Sequence, residues 1–218
     1  MDFMVLRTFT ATLLLALAAA AAQPLPELRT EPTTGGSIFY VKNVASQPVT
    51  AFLIELVNYP GSYYSLWQDE AAGELIAPGA EKRIPVTNMT VGAVPDYVKL
   101  QAALFADGSS AGISEKIAQI VERRRFSLGT IRELISRLEK AQAASTPKAA
   151  LIADWKQWSD SLQPLAKANR TSQTTINQTA ARGIIADAVT WLDSHSPDET
   201  LAKLRAGERS LAGSKPGL

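Results

Sequence analysis

The sequence has no cysteine and a single histidine, His195, in 218 residues. The missing cysteines exclude disulfide staples, thiolate nucleophiles, Cys-ligated zinc or iron–sulfur centres and lipid attachment at a cysteine. One imidazole excludes sites that need two, such as H-E-x-x-H zinc hydrolases, and no G-x-S-x-G elbow accompanies it. Neither sign of charge is in excess. The 22 Lys plus Arg oppose 21 Asp plus Glu, a net +1 that gives no overall reason to expect a nucleic-acid partner. No motif calls for a cofactor or a metal, and none is expected. Long apolar runs are scarce too. Phe9–Ala22 is the longest, and its 14 residues fall short of the about 20 that a spanning helix needs.

That one run has the grammar of an export signal. Arg7 supplies a basic start, Leu13, Leu14, Leu15 and Leu17 an apolar centre, and Ala20-Ala21-Ala22 the small residues of an A-x-A cleavage site before Gln23. Residues 1–22 are therefore expected to be a cleaved signal peptide. The protein is expected in the periplasm or outside the cell, with no stable membrane span after cleavage. Without disulfides its fold must stand on an apolar core, for which 46% hydrophobic residues suffice.

Two halves with different periods follow a Pro- and Thr-rich lead, residues 23–36, read as an extended linker. Residues 37–113 read as short strands. Val49–Val57 is apolar on both faces, as a central strand is, with Glu55 expected at the rim or in solvent. Lys82–Thr87 is demoted to an edge by Pro85. Asp96–Ala106 alternates, with Val98, Leu100, Ala102 and Leu104 expected on one face, and Asp107-Gly108 turns a last hairpin. At Ser114 the period becomes helical, and residues 114–212 read as about five helices. A break is expected at Phe126-Ser127, a kink at Pro164, a polar loop or frayed helix start over Asn169–Thr179, and a capping box at Ser196-Pro197-Asp198-Glu199. Residues 213–218 are expected to fray. The halves differ in charge: Gln23–Ile113 carries 5 basic and 9 acidic residues, Ser114–Leu218 16 and 11. Such a dipolar chain favours docking of one half on the other, weakly, because surface attraction is screened.

Four short segments carry a resemblance: Val41-Lys42-Asn43, Pro48-Val49-Thr50-Ala51-Phe52, Leu75-Ile76-Ala77-Pro78-Gly79 and Leu104-Phe105-Ala106-Asp107-Gly108. In these, residues 37–113 resemble the small Ig-like β-sandwich modules of secreted bacterial proteins. The likeness implies an adhesive or spacer unit and carries no catalytic residue. The fold expected is thus α+β, a small antiparallel Ig-like β-sandwich followed by helices.

Candidate functional residues are few. Tyr59, Tyr63, Tyr64 and Trp67 cluster at a Pro-Gly turn, where exposed aromatics can stack on sugars or anchor a partner protein. This loop is the foremost candidate for binding, although packing over the end of the sandwich would use the same residues. A Ser/His/Asp site would have to use His195, which sits between two helices as a structural residue does. Arg123-Arg124-Arg125 is read as cations closing a helix C-terminus rather than as an anion site. Trp155, Trp158 and Trp191 lie on core-facing stripes. Asp69-Glu70, Glu74 and Asp107 could supply a pair of carboxylates, but no spacing singles them out. The reading is a non-catalytic interaction or structural protein of the bacterial cell envelope, its partner another envelope protein or a polysaccharide. A carboxylate-based hydrolase of envelope polysaccharide and a carrier of a small apolar ligand are the alternatives. N-terminal sequencing of protein exported by a bacterial host should begin at Gln23; a chain that retains Met1 would overturn the cleavage assignment.

Overall fold

The computed structural model describes residues 23–58, 64–71, 73–87, 96–162 and 171–216. Seven strands come first: β1 (Glu27–Thr33), β2 (Gly36–Lys42), β3 (Val49–Leu56), β4 (Ser65–Asp69), β5 (Glu81–Thr87), β6 (Val98–Phe105) and β7 (Ser110–Gly112). Four helices follow among the described residues: α1 (Ser114–Ala143), α2 (Lys148–Ser161), α3 (Gln173–Ser194) and α4 (Pro197–Ala212). The class is α+β, with strands before helices, as expected. The helices number four instead of five because the break expected at Phe126-Ser127 does not occur.

The strands form two antiparallel sheets, ordered β1-β2-β5 and β4-β3-β6-β7. Labelled A to G in the immunoglobulin manner, this is A, B and E facing C′, C, F and G. β5, with Pro85, is an edge as predicted. The segment expected as a linker instead holds β1, which pairs with β2 from Glu27↔Lys42 to Thr33↔Gly36 around a turn at Gly35 with φ +84°. An edge strand needs few apolar residues, so its polar composition disguised it; Leu25 and Leu28 alone pack on the core. Between the sheets lie Phe39, Val41, Phe52, Ile54, Ile84 and Phe105, each contributing about 1.5–3 kcal/mol by burial.

The four-stranded sheet is covered on its other face too. Ala51, Leu53, Ala102 and Leu104 pack there against Ile117, Ile120 and Val121 of α1. This double burial explains why β3 carries apolar residues on both faces. It also corrects two expectations. Glu55 is not at the rim: it is 6% exposed, and its carboxylate accepts from Lys116 Nζ of α1 at 2.8 Å. Nor do the four apolar residues of β6 share a face. Leu53 pairs with Ala102 but Ile54 with Leu100, so Gln101 is an extra residue. The bulge turns Val98 and Leu100 toward the sandwich core and Ala102 and Leu104 toward α1.

β7 runs straight into α1 through Gly112, whose φ is +108° and whose missing Cβ would stand 2.2 Å from the Gln101 carbonyl oxygen. Only glycine fits there. α1 then serves both halves. Its first turns lie on the sheet; its later ones place Leu128, Ile131, Leu134, Ile135 and Leu138 in a core with Trp155 of α2, Ile185 and Leu192 of α3, and Leu204 of α4. Residues 117, 120, 124, 128, 131, 135 and 138 make one stripe in steps of three and four, interrupted only by the charge of Arg124. That charge is what makes the helix read as two. α4 runs antiparallel to α1, as Arg132–Glu208 (2.8 Å) and Arg205–Glu139 (2.6 Å) show. The expected capping box at Ser196 and Glu199 starts α4. Of the segment expected as a polar loop or frayed helix start, Gln173–Thr179 belongs to α3, with Ser172 as its N-cap. Pro164 lies outside the described residues.

Arg124, with 0% exposure, sits where sandwich, bundle and chain end meet. Its Nε and Nη2 donate to the two oxygens of Asp69 at 2.8 and 2.9 Å, and Nη2 also to the Thr50 carbonyl at 3.3 Å. Its Nη1 donates to the Lys215 carbonyl at 2.9 Å, so the tail expected to fray is tied down at that residue. Replacing Arg124 with Met leaves the Asp69 carboxylate without its buried partner and should cost about 3–5 kcal/mol in urea-unfolding measurements. A loss below about 1 kcal/mol would mean that the pair behaves as a surface bridge.

Candidate ligand-binding cleft

The three successive arginines do not close a helix, because α1 continues to Ala143. Successive helical residues are turned about 100° apart, so they leave α1 in three directions. Arg125 points outward and donates to Glu122 at 2.8 Å. Arg124 points into the junction. Arg123 faces a cleft of about 500 Å³ between the two halves.

Among the described residues three elements wall this cleft. β4 contributes Ser65 and Trp67, one residue apart on the face that carries α1. α1 contributes Arg123. α3 contributes two parallel rows in steps of four: Thr175, Thr179, Gly183 and Asp187, and beside them Ile176, Ala180 and Ile184. The first row is polar or small, and the second is apolar. At the lower end Ser172 caps α3, its Oγ accepting from the Thr175 amide at 3.2 Å. The positive end of the α3 dipole therefore lies at the Thr175 end of the cleft.

The charges in the cleft are unusual. The Arg123 guanidinium carbon stands 6.0 Å from the centroid of the Trp67 ring. Among the described residues it has no hydrogen bond and no ion pair. Burial pushes the Arg123 guanidinium below its usual range, opposed by the field of Asp69, whose two oxygens are already engaged by Arg124. Asp187, exposed on the far part of the α3 wall, has no ion-pair partner among the described residues either. Opposite charges thus face one cleft without meeting. Gly183 adds to its openness, since a Cβ there would meet nothing within 4 Å.

The aromatic loop divides. Tyr59 and Tyr63 lie outside the described residues. Tyr64 turns inward and meets Phe39 edge-on, with centroids 6.3 Å apart and planes at 85°, and burial raises its hydroxyl pKa. Trp67 alone of the described pair reaches the cleft, its indole N–H held by Ser65 Oγ at 3.0 Å. His195 stacks on Trp191 at 3.7 Å, with the Lys203 ammonium 3.4 Å from the centroid of the same ring. Trp155 is fully buried in the bundle, while Trp158 is half-buried beneath Arg137. Of the acids considered, Asp69 holds Arg124, Glu70 holds Lys82, and Asp107 accepts from the Ser109 amide within its turn. No cluster of metal-ligating side chains occurs among the described residues, nor among them is any helix long and apolar enough to cross a membrane.

Sequence reasoning did not single out Arg123 with Thr179, Gly183 and Asp187, because they come from separate elements. One trace was present: Gly183 is an isolated glycine inside a helical pattern, which ordinarily has a packing or functional reason. In comparisons with known proteins the chain matches no family model, no curated protein and no solved structure.

A helix-interior glycine is less stable than alanine by about 0.5–1 kcal/mol. Gly183→Ala should raise stability by about that amount in thermal or urea unfolding, since its methyl enters open space. A loss of stability would show that the cleft is closed at this point in solution.

Proposed function

We propose that the protein is an exported, non-catalytic binding protein of the bacterial cell envelope, which holds a small ligand in the cleft between its sandwich and its helices. The observation that carries this reading is Arg123: a half-buried guanidinium beside an aromatic wall, with no hydrogen bond or ion pair among the described residues. Pockets that bind small molecules combine apolar walls with a few polar groups set to fix orientation. Trp67, Ile176, Ala180 and Ile184 supply the first here, and Arg123, Thr179 and Asp187 the second. A binding role also suits the single carboxylate on the described wall, Asp187, where two-carboxylate hydrolysis would call for a pair. The signal-like N-terminus supports export, and the sandwich supports an envelope setting.

Gly183→Trp fills the cleft from a position where a Cβ meets no neighbour within 4 Å. A thermal-shift screen should compare this variant with the wild type against amino acids, short peptides, saccharides and carboxylic acids. At least one class at high excess should raise the wild-type midpoint by about 2–4 °C. The blocked variant, equally stable alone, should not respond. Equal responses in both proteins, or none in the wild type, would overturn the reading.

A further inference from the structure

The cleft has a polarity and a length, and together they select among small ligands. The length follows from the packing of the helices. α1 is antiparallel to α4, and α4 returns along α3 after the tight turn at His195 and Ser196, so α1 and α3 run parallel. Gln173 Nε2 donates to the Gln119 carbonyl, which sets their register. Counted from that contact, Arg123 falls near the level of Asn177, and from Asn177 to Asp187 the backbone of α3 rises ten residues, or about 15 Å. The guanidinium lies toward the N-terminal, positive end of α3 and the carboxylate well away from it. Both ends favour the same orientation of a ligand that carries one charge of each sign.

We infer that the occupant of this cleft is a short peptide with free termini, its C-terminal carboxylate on Arg123 and its N-terminal ammonium at Asp187. This rests on the reading of the cleft as a ligand site and deepens it. An extended chain advances about 3.3 Å per residue, so about three to five residues bridge the two charges. A free amino acid is too short, because its ammonium and carboxylate lie within about 4 Å of one another. A neutral saccharide would stack on Trp67 and leave both charges unanswered. A fatty acid would answer Arg123 alone. The wall between the charges also suits a peptide. Ile176, Ala180 and Ile184 give apolar ground for its side chains, and the exposed Thr179 lies beside them. Beside the cleft, β4 is an edge strand that pairs only with β3 among the described residues, the kind of element to which an extended chain can add.

The test uses the whole exported protein and isothermal titration calorimetry with five probes. These are the tetrapeptide Leu-Ala-Ala-Leu with free termini, its C-terminal amide, its N-acetyl form, free leucine and maltotetraose. The free tetrapeptide should bind, and both blocked forms and free leucine should bind at least tenfold more weakly. Arg123→Gln should abolish the preference for the free acid over the amide, and Asp187→Asn the preference for the free amine over the acetylated form. An amide that binds as tightly as the acid, or leucine as tightly as the tetrapeptide, would overturn the peptide assignment. Binding of maltotetraose alone, lost in Gly183→Trp, would overturn it while leaving the cleft as a ligand site. Failure of every probe here, together with a silent thermal-shift screen, would overturn both. The comparisons among probes are made on the wild-type chain, so the peptide assignment stands or falls whether or not either variant folds.

Discussion

The Arg124–Asp69 contact is the constraint on which the arrangement of the two halves depends. A guanidinium with no exposure has lost its water and must place every donor it can on the protein. It does so on two neighbouring strands and on the C-terminal segment: Asp69 on β4, Thr50 on β3 and the carbonyl of Lys215. Sliding α1 along the sheet, or tilting the bundle, would strand a buried charge. Pairs of this kind are weak as net sources of stability but costly to break, so what they fix is geometry. Here the geometry fixed is the angle at which a helical bundle stands on a sandwich.

From that anchor the rest of α1 follows. One to two turns earlier, Ile117, Ile120 and Val121 cover the outer face of the four-stranded sheet; one to two turns later, Leu128 and Ile131 enter the bundle. A single rigid helix therefore belongs to two cores. Glu55 and Lys116 make a second half-buried pair across the same seam. The acidic sandwich and basic helices thus meet through two defined ion pairs, not through a diffuse attraction that salt would screen. The cleft is a product of this seam. With Arg124 turned inward, the adjacent Arg123 must leave α1 about 100° away, which carries it out beside Trp67 and opposite α3.

Much of the fold is legible in the residues because local rules agree with the outcome. The doubly apolar run of β3, the edge-demoting Pro85, the Asp107-Gly108 turn and the Ser196 capping box each signal through neighbours in sequence. The departures share one cause. β1 takes its strand character from pairing with β2, Glu55 finds its partner 61 residues away, and Gln101 is displaced by the opposite strand. Arg124 reads as a helix end because no local rule places a charge in the middle of a buried stripe.

The candidate site divides along the same line. Residue chemistry alone determined what the site could not be, since a chain without cysteine and with one histidine has few catalytic options. It also determined the two-part architecture, because strand and helix periods are local properties of a sequence. Only the tertiary structure decided where a ligand could sit. Trp67, Arg123, Gly183 and Asp187 are joined by no spacing, and the aromatic loop that was the foremost binding candidate sends Tyr64 into the core. The physical reason is that a cleft is empty space between packed elements. Its walls are chosen by the contact that sets the elements apart, and that contact, from Arg124 on α1 to Asp69 on β4, spans 55 residues of chain.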